Sequence, residues 1–283
     1  MSSTLNYAPD KYVAINDLSI RYRAFGDGGE TLVLIHGLGA SLEHWYQLAP
    51  LLAENYKLIL LDLPGAGRSS KPKLHYSISF YLELLEQFMA KLSLEQVSLL
   101  GHSFGGGLAL QYVLEKRAGI KNLILLSNAG FSRKIKLLYR LLTIPLLNRI
   151  LTTLNRNGVR DSLHMNVVDN QTIEAHFIDE MYAISQLPGF GHAVRSSLSA
   201  SSNIWGIKTT IYKRINTKLN ELSIPTLVLW GDSDPVLPFE WQQLNLQKLP
   251  NAKVKVINKA GHLLYLEQPK EVVKNIKAFL SPR

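Results

Sequence analysis

The sequence feature that most constrains this chain is the stretch VSLLGHSFGGGLAL at residues 97–110. Its opening residues form an apolar run of the length of a buried strand, and residues 108–115 favour a helix. A strand that turns sharply into a helix strains the backbone at Ser103, and Gly101 and Gly105 remove side chains that would collide there. The stretch therefore predicts a serine hydroxyl raised above the edge of a sheet, beside a helix N-terminus that favours negative charge.

Short apolar runs alternate with amphipathic segments along most of the chain. The pattern predicts strands at residues 12–15, 18–25, 31–35, 57–61, 97–100, 122–126, 225–230 and 253–257, with turns at 16–17 and 26–29. It predicts helices at residues 42–53, 80–92, 104–116, 240–249 and 269–280. This alternation is typical of an α/β protein with a mostly parallel sheet covered by helices on both faces. Ligands of such sheets bind at the carboxyl ends of the strands, where Ser103 falls.

The alternation is interrupted once, between residues 131 and 218, where the pattern becomes helical and no clear strand is found. We predict an α/β core from residues 1–130 and 219–283, and a helical cap inserted at residues 131–218 over the site. Residues 131–160 contain no acid and seven cations: Arg133, Lys134, Lys136, Arg140, Arg149, Arg156 and Arg160. Two interpretations stay open, a solvated outer face of the cap helices or a surface that contacts an anionic membrane.

Composition limits the classes of protein to consider. With 283 residues, of which 46% are apolar and 19% charged, the chain has the make-up of a folded globular protein. It has no cysteine, which excludes a disulfide framework and a thiolate metal site. The net charge of +9 suits anionic partners, but no nucleic-acid-binding motif accompanies it, so we predict no nucleic-acid partner. We find neither a signal peptide nor an apolar run of membrane-spanning length, and we predict a cytoplasmic protein.

A serine needs a base to become a nucleophile, and the predicted base is His262. This residue follows the last predicted strand, and Gly261 before it leaves the loop free to point the imidazole inward. His36 and His102 lie within motifs, where we expect their rings to bond the backbone. We expect the remaining histidines on the surface or in the cap; they are His44, His75, His164, His176 and His192.

The acid that orients the imidazole is expected at the carboxyl end of another strand. Residues 231–238, GDSDPVLP, follow a predicted strand and offer two carboxylates, Asp232 and Asp234. We favour Asp234, because it lies further round the turn and because Pro235 fixes the turn after it.

Two backbone N–H groups are expected to hold an oxyanion. One belongs to Phe104, the residue after the nucleophile, and the other to Leu38, in the HGLG segment that follows the strand at residues 31–35. The glycines beside Leu38 let that backbone approach the carbonyl carbon of a substrate. This chemistry needs no metal ion or other cofactor, and we predict none.

The chain resembles the α/β-hydrolase superfamily over nearly its whole length. The segments that carry the resemblance are HGLG at residue 36, DLPGAGRSSKP at 62, GHSFGG at 101, GDSDPVLP at 231 and AGHLLYLEQP at 260. The order Ser103, Asp234, His262 is also the order of the triad in that superfamily. Within it, the chain is similar to cap-bearing serine esterases, monoacylglycerol-type lipases and carbon–carbon bond hydrolases. The resemblance implies the α/β-hydrolase fold and a Ser-His-Asp triad.

The predicted function is hydrolysis of carboxylic esters that carry an apolar acyl or alcohol group, through an acyl-enzyme on Ser103. The expected partner is a small-molecule ester. The pocket is predicted to include Phe131, Phe190, Trp205, Val236 and Leu263. Two alternatives stay open: a carbon–carbon bond hydrolase of vinylogous diketones, and a small-molecule receptor on a hydrolase scaffold.

Overall fold

A computed structural model describes residues 8–115, 119–145, 147–148 and 155–281. Within these residues, seven strands form one sheet in the order β1-β2-β4-β5-β8-β9, with β3 paired to β2. The strands are β1 (Lys11–Ile15), β2 (Leu18–Ile35), β3 (Tyr56–Leu61), β4 (Val97–His102), β5 (Ile120–Leu126), β8 (Thr226–Gly231) and β9 (Ala252–Ile257). The neighbours β2, β4, β5, β8 and β9 all run parallel, so the mostly parallel sheet predicted from the sequence is confirmed.

Strand β2 differs from the prediction of two strands separated by a turn at residues 26–29. It is continuous, but its two arms pair with opposite edges of β3. The first arm, at residues 22–25, pairs with β3 in the antiparallel direction. The second arm, at residues 31–35, pairs with β3 in the parallel direction. The chain does turn between the arms: Gly26 has a φ of +76°, and a side chain there would collide with the backbone of β3 at Tyr56.

Helices cover both faces of the sheet. They are α1 (Leu48–Ala53), α2 (Ile78–Lys91), α3 (Ser103–Leu114), α4 (Leu137–Leu141), α5 (Arg156–His164), α6 (Ala175–Ser185), α7 (Phe190–Ser201), α8 (Thr209–Asn216), α9 (Gln243–Leu246), α10 (Leu264–Glu267) and α11 (Pro269–Leu280). Alternate residues of β2 point to the two faces, Val33 with α2 and α3, and Leu34 with α1 and α11. Two predicted helices are shorter than expected, because 3-10 turns at Leu42–Trp45 and Phe239–Trp241 replace their first parts.

Residues 131–218, called the helical insertion below, connect β5 to β8 and contain α4 to α8. They also contain a short antiparallel ribbon of β6 (Ser202–Asn203) and β7 (Gly206–Ile207), which the sequence does not predict. The ribbon is possible because Gly206 has a φ of +105° and its lack of a side chain lets it lie against the backbone of Arg133. The boundaries of the insertion stay a prediction, and Arg149 lies outside the described residues. No described helix is both long and apolar enough to cross a membrane.

Candidate active site

The turn between β4 and α3 places Ser103 at the carboxyl edge of the sheet. Ser103 is the first residue of α3 and has a φ of +51°, in the left-handed region that strains a residue with a side chain. A side chain at Gly101 would come within 2.6 Å of Gly106 Cα, and one at Gly105 would collide with the carbonyl oxygen of His36. The glycines therefore let the helix begin directly on the strand and hold the hydroxyl at the sheet edge.

Three polar side chains from separate segments form a hydrogen-bonded chain at this edge. His262 Nε2 lies 2.9 Å from Ser103 Oγ, and His262 Nδ1 lies 2.9 Å from Asp234 Oδ2. Asp234 and His262 are buried, whereas Ser103 is partly exposed. When Asp234 accepts a hydrogen bond from Nδ1–H, the lone pair on Nε2 is left to accept the hydroxyl proton of Ser103. The arrangement can thus convert this hydroxyl into a nucleophile.

The structure brings Asp234 to the imidazole. The other oxygen of Asp234, Oδ1, accepts hydrogen bonds of 2.8 Å from the backbone amides of Val236 and Leu237, which fix the carboxylate. The remaining oxygen, Oδ2, is thereby directed at His262 Nδ1.

Asp232, the competing carboxylate, has a different position. Its oxygens accept from the backbone amides of Lys259 at 3.0 Å and Ala260 at 3.1 Å. Burial raises the pKa of Asp232, but these backbone hydrogen bonds outweigh that effect and lower it. Asp232 therefore shapes the loop that carries His262 and does not contact the ring.

The loop that carries His262 is held by the helical insertion, through Asn166. The backbone carbonyl of Asn166 accepts from the amides of His262 at 2.8 Å and Leu263 at 3.2 Å. Its side-chain oxygen accepts from the hydroxyl of Tyr139 at 3.1 Å, which connects α4 to the same point. The sequence analysis does not identify Asn166, because a backbone carbonyl leaves no trace in residue type.

Glu267 makes a second connection between the insertion and the histidine loop. One carboxylate oxygen accepts from Gly261 N at 2.6 Å, and the other accepts from Val168 N at 2.6 Å and Asp169 N at 3.2 Å. Burial raises the pKa of Glu267, and these backbone hydrogen bonds oppose the rise. The sequence does not predict this connection, although the position of Glu267 five residues after His262 within AGHLLYLEQP is a usable signal.

The predicted oxyanion loop is fixed by His36. Its Nε2 accepts from Leu63 N at 3.0 Å, so Nδ1 carries the proton and donates to the carbonyl oxygen of Gly37 at 2.7 Å. Burial lowers the pKa of His36 to about 4, which keeps the ring neutral. Leu38 and Phe104 line the cavity beside Ser103, and neither backbone amide donates to a protein acceptor among the described residues. These two donors are available to an oxyanion.

Two further histidines lie close to the site. His102 donates from Nε2 to the carbonyl oxygen of His262 at 2.9 Å, and burial lowers its pKa well below the usual value. Like His36, it bonds the backbone as expected. The prediction that His44 is a surface or cap residue is wrong: it is buried, with its ring edge-on to Phe177 at 5.0 Å, and burial lowers its pKa to about 3.

Ser103 and His262 open into a cavity of about 320 Å³ between the core and the insertion. This volume lies at the lower end of the range for sites that bind small ligands. The walls are mostly apolar and include Ile135, Leu142, Val159, Met181, Val194 and Leu198. Among the described residues that line it, none is Lys, Arg, Asp or Glu. The cavity therefore suits an uncharged, apolar group next to the nucleophile.

Three of the five predicted pocket residues line this cavity, namely Phe190, Val236 and Leu263. The other two do not. Phe131 is fully buried beneath the site, with its ring 6.5 Å from that of Trp230. Trp205 is 72% exposed at the turn of the β6–β7 ribbon. Both errors come from assigning aromatic residues of the insertion to the pocket without knowing which way the chain turns.

The site and fold agree with a comparison to known families. A family model for the alpha/beta hydrolase fold matches residues 30–147 and 196–269, which is more than half of the chain. This protein belongs to the α/β-hydrolase family.

Its relatives carry out more than one kind of hydrolysis. A 2-hydroxy-6-oxononadienedioate/2-hydroxy-6-oxononatrienedioate hydrolase of Pseudomonas putida is 26% identical, covering 93% of this chain and 92% of the relative. A bacterial membrane phospholipase A is 27% identical in its crystal structure, with a TM-score of 0.76 over 96% of this chain and 86% of that one. A serine hydrolase involved in carbazole degradation shares the fold, with a TM-score of 0.82 at 23% identity, covering 98% of this chain and 100% of that one.

Proposed function

We propose that this protein is a serine hydrolase that cleaves carboxylic esters with an apolar acyl or alcohol group. The observation that carries the proposal is the chain of hydrogen bonds from Ser103 through His262 to Asp234 at the wall of an apolar cavity. The similarity to a phospholipase A, an ester hydrolase by its name, supports it.

The first half of the reaction forms an acyl-enzyme. Ser103 Oγ attacks the ester carbonyl carbon as His262 Nε2 takes the hydroxyl proton, and Asp234 stabilises the resulting imidazolium. The carbonyl oxygen becomes an oxyanion, which the backbone amides of Leu38 and Phe104 bind. When this intermediate collapses, the bond to the alcohol oxygen breaks, and His262 gives its proton to the departing alcohol.

The second half releases the acid. His262 takes a proton from a water molecule, which attacks the acyl carbon and regenerates an oxyanion at the same two amides. Collapse breaks the bond to Ser103 Oγ, and the proton on His262 returns to this oxygen. The products are a carboxylic acid and free enzyme. Every proton is accounted for by His262, and Asp234 stays ionised throughout.

A carbon–carbon bond hydrolase is the second candidate, because the Pseudomonas putida relative is named as a hydrolase of 2-hydroxy-6-oxononadienedioate, the enol form of a vinylogous diketone. That name describes a dioate, a substrate with two carboxylates. Placing carboxylates in a cavity without cations is costly, since a buried charge needs a partner. No Lys or Arg occurs among the described lining residues, so the cavity favours an uncharged ester.

A direct comparison of substrates tests the proposal. The purified protein would be assayed with p-nitrophenyl esters from acetate to dodecanoate, and beside them with a ring-cleavage dienoate. We expect turnover of the esters, with kcat/KM rising as the acyl chain lengthens until the cavity is filled, and little or no cleavage of the dienoate.

Two outcomes would overturn the proposal. Faster cleavage of the dienoate than of any ester would assign the protein to carbon–carbon bond hydrolysis. Negligible turnover of both classes, together with a rise in melting temperature on adding an apolar ester, would indicate a receptor instead.

A further inference from the structure

A face of the helical insertion exposes apolar and basic side chains together. Trp205 is 72% exposed, Leu137 is 61% exposed and Leu138 is 47% exposed. A group of large, exposed apolar side chains on one surface often marks a site that contacts another protein or a membrane. We call these three residues, with Lys134 and Lys136, the tryptophan face.

Hydrogen bonds from two arginine side chains to backbone carbonyl oxygens bring the parts of this face together. Arg140, on the same helix as Leu137 and Leu138, donates from Nε to the carbonyl oxygen of Ile204 at 2.6 Å, next to Trp205. Arg133 donates to the carbonyl oxygen of Ile207 at 3.1 Å, on the other side of the ribbon turn. Helix α4 and the ribbon that carries Trp205 are therefore fixed side by side.

The two sequence segments that form the tryptophan face carry charges of one sign, and the nearest chain neighbour of the Trp241 ring beside them is the exposed Glu240. Residues 116–160 and 181–220 contain no Asp or Glu at all. Lys134 and Lys136 are exposed, with their Nζ atoms 6.0 Å and 5.4 Å from the ring centre of Trp241. Within the described part of the chain, no carboxylate lies in salt-bridge range of either lysine. By contrast, Arg156 and Arg160 on α5 pair with Asp179 and Asp161.

We propose that the tryptophan face binds the surface of an anionic membrane. Tryptophan and leucine enter the headgroup region of a bilayer, and unpaired lysines beside them attract anionic lipid headgroups. The charge complementarity favours this occupant over a second copy of the chain, which would bring like charges together.

The face also lies next to the cavity, because Tyr139 and Leu142 on and after α4 line it. An apolar ester dissolved in the membrane would thus have a short path to Ser103. This part of the inference rests on the proposed function, whereas membrane binding itself does not.

Binding is tested apart from catalysis with the Ser103→Ala variant. The protein would be sedimented with phosphatidylcholine vesicles, with and without phosphatidylserine. We expect sedimentation only with phosphatidylserine, and release at high salt. Lys134→Glu/Lys136→Glu should weaken binding by about 30-fold or more, since each basic residue near an anionic surface contributes about fivefold. The matched control is Lys57→Glu/Lys121→Glu, with the same net charge at exposed positions near the amino ends of β3 and β5.

Tryptophan fluorescence gives a second measurement. Trp45 and Trp230 are fully buried, so a blue shift on adding anionic vesicles would come from Trp205 and from the half-buried Trp241, and the Trp205→Phe variant separates these two contributions. We expect the shift in the parent protein and its loss in Trp205→Phe, which should still sediment. Absence of sedimentation, or equal loss in both lysine pairs, would overturn the proposal. So would vesicle-free self-association that Trp205→Ser abolishes, since the face would then join two copies.

If binding holds but vesicle-borne esters are not hydrolysed by the enzyme with Ser103 intact, only the proposed function fails.

Discussion

Two groups of buried charged residues lie near the carboxyl edge of the sheet, and they differ in what they face. One is the Ser103–His262–Asp234 chain, which ends at the cavity. The other is a cluster of Arg21, Glu43 and Asp62, whose side chains are almost completely buried. Both place carboxylates in the interior, where an unpaired charge is costly.

The second group, called the arginine cluster here, is held together by ion pairs and backbone hydrogen bonds within the protein. Arg21 contacts Glu43 at 2.6 Å and Asp62 at 3.0 Å, and the backbone amides of Leu42 and Arg68 donate to Asp62 at 2.7 Å each. Burial and the charge of Glu43 raise the pKa of Asp62, and Arg21 opposes that rise. None of the three residues lines the cavity.

The comparison shows that burial and a shifted pKa do not by themselves define a reactive site. In the arginine cluster, both terminal nitrogens of the Arg21 guanidinium have carboxylate acceptors within the protein. The Ser103–His262–Asp234 chain ends in a hydroxyl beside the backbone amides of Leu38 and Phe104, which donate to no acceptor in the part of the protein that the structure describes. We therefore expect substitutions in the Ser103–His262–Asp234 chain to lower the rate of hydrolysis, and substitutions in the arginine cluster to lower the stability of the fold.

The largest effect is expected for Ser103→Ala. Loss of the nucleophile should lower kcat on p-nitrophenyl esters by about 10⁵–10⁶-fold, as triad deletions do elsewhere. The melting temperature should hardly change, because no buried partner is left charged. Ser93→Ala is a matched control, since Ser93 has a φ of +50° against +51° for Ser103 and lies outside the cavity. If Ser103→Ala keeps more than about a hundredth of the parent kcat, Ser103 is not the nucleophile.

The arginine cluster should respond in the opposite way. Arg21→Met leaves Asp62 buried without the cation that pairs with it, while Glu43 keeps Arg68 at 3.2 Å. The unpaired carboxylate should cost about 3–5 kcal/mol in the free energy of unfolding. The kcat of the molecules that remain folded should stay within about threefold of the parent value. Urea denaturation with titration of active sites measures both quantities. Arg156→Met removes an exposed ion pair with Asp179 and should leave the urea midpoint in place. A drop in kcat with an unchanged free energy of unfolding in Arg21→Met would show that the arginine cluster supports catalysis and not stability.

Replacing Glu267 should have an effect on kcat between those of Ser103→Ala and Arg21→Met, because Glu267 contacts the histidine loop but no reacting atom. Glu267→Gln replaces one acceptor oxygen by an NH₂ group that would face a backbone N–H. We expect kcat to fall by about tenfold through a small displacement of His262, with KM within about twofold. Glu271→Gln, on the exposed side of α11, serves as the control. A rise in KM at constant kcat would place Glu267 in the pocket wall instead of behind the base.

The smallest effect concerns acid stability. The pKa of His36 is about 4 in the folded protein, against an ordinary value of about 6.5. The unfolded chain takes up the proton first as pH falls, so the stability linked to neutral His36 is complete above about pH 6.5 and is lost toward pH 4. His36→Gln should reduce the slope of unfolding free energy against pH in this window by up to about 1.4 kcal/mol per pH unit. Urea denaturation between pH 4 and 6.5 gives the slope of unfolding free energy against pH for this variant and for the exposed-site control His75→Gln. Equal slopes in the two variants would contradict the lowered pKa of His36.

Most of the fold could be predicted from the sequence, because the long strands and the turn at Ser103 have local signals. Apolar runs mark the strands, and the glycines around Ser103 mark a turn that only small residues permit. The turn at Gly26 is visible for the same reason, but the insertion of β3 between the two arms of β2 is not. That arrangement depends on pairing between distant segments.

The candidate site could be predicted only where its chemistry requires particular side chains. The residues Ser103, His262 and Asp234, proposed from type and position, lie within hydrogen-bond distance of one another. Asn166 contributes through its backbone, for which any residue would serve, so no pattern could reveal it. The prediction of Trp205 as a pocket residue rests on its place in the cap, whereas its exposure depends on a ribbon of two-residue strands that is too short to leave a pattern.

The central claim is that His262 activates Ser103 and no other residue as the nucleophile. An alkyl fluorophosphonate tests it most directly, since the activated hydroxyl displaces fluoride and keeps the phosphonyl group. Peptide mass spectrometry should find one adduct per chain, on Ser103, and its formation should be strongly slowed in His262→Ala. An unmodified Ser103 in protein that is still inactivated, or an adduct formed equally fast without His262, would contradict the account.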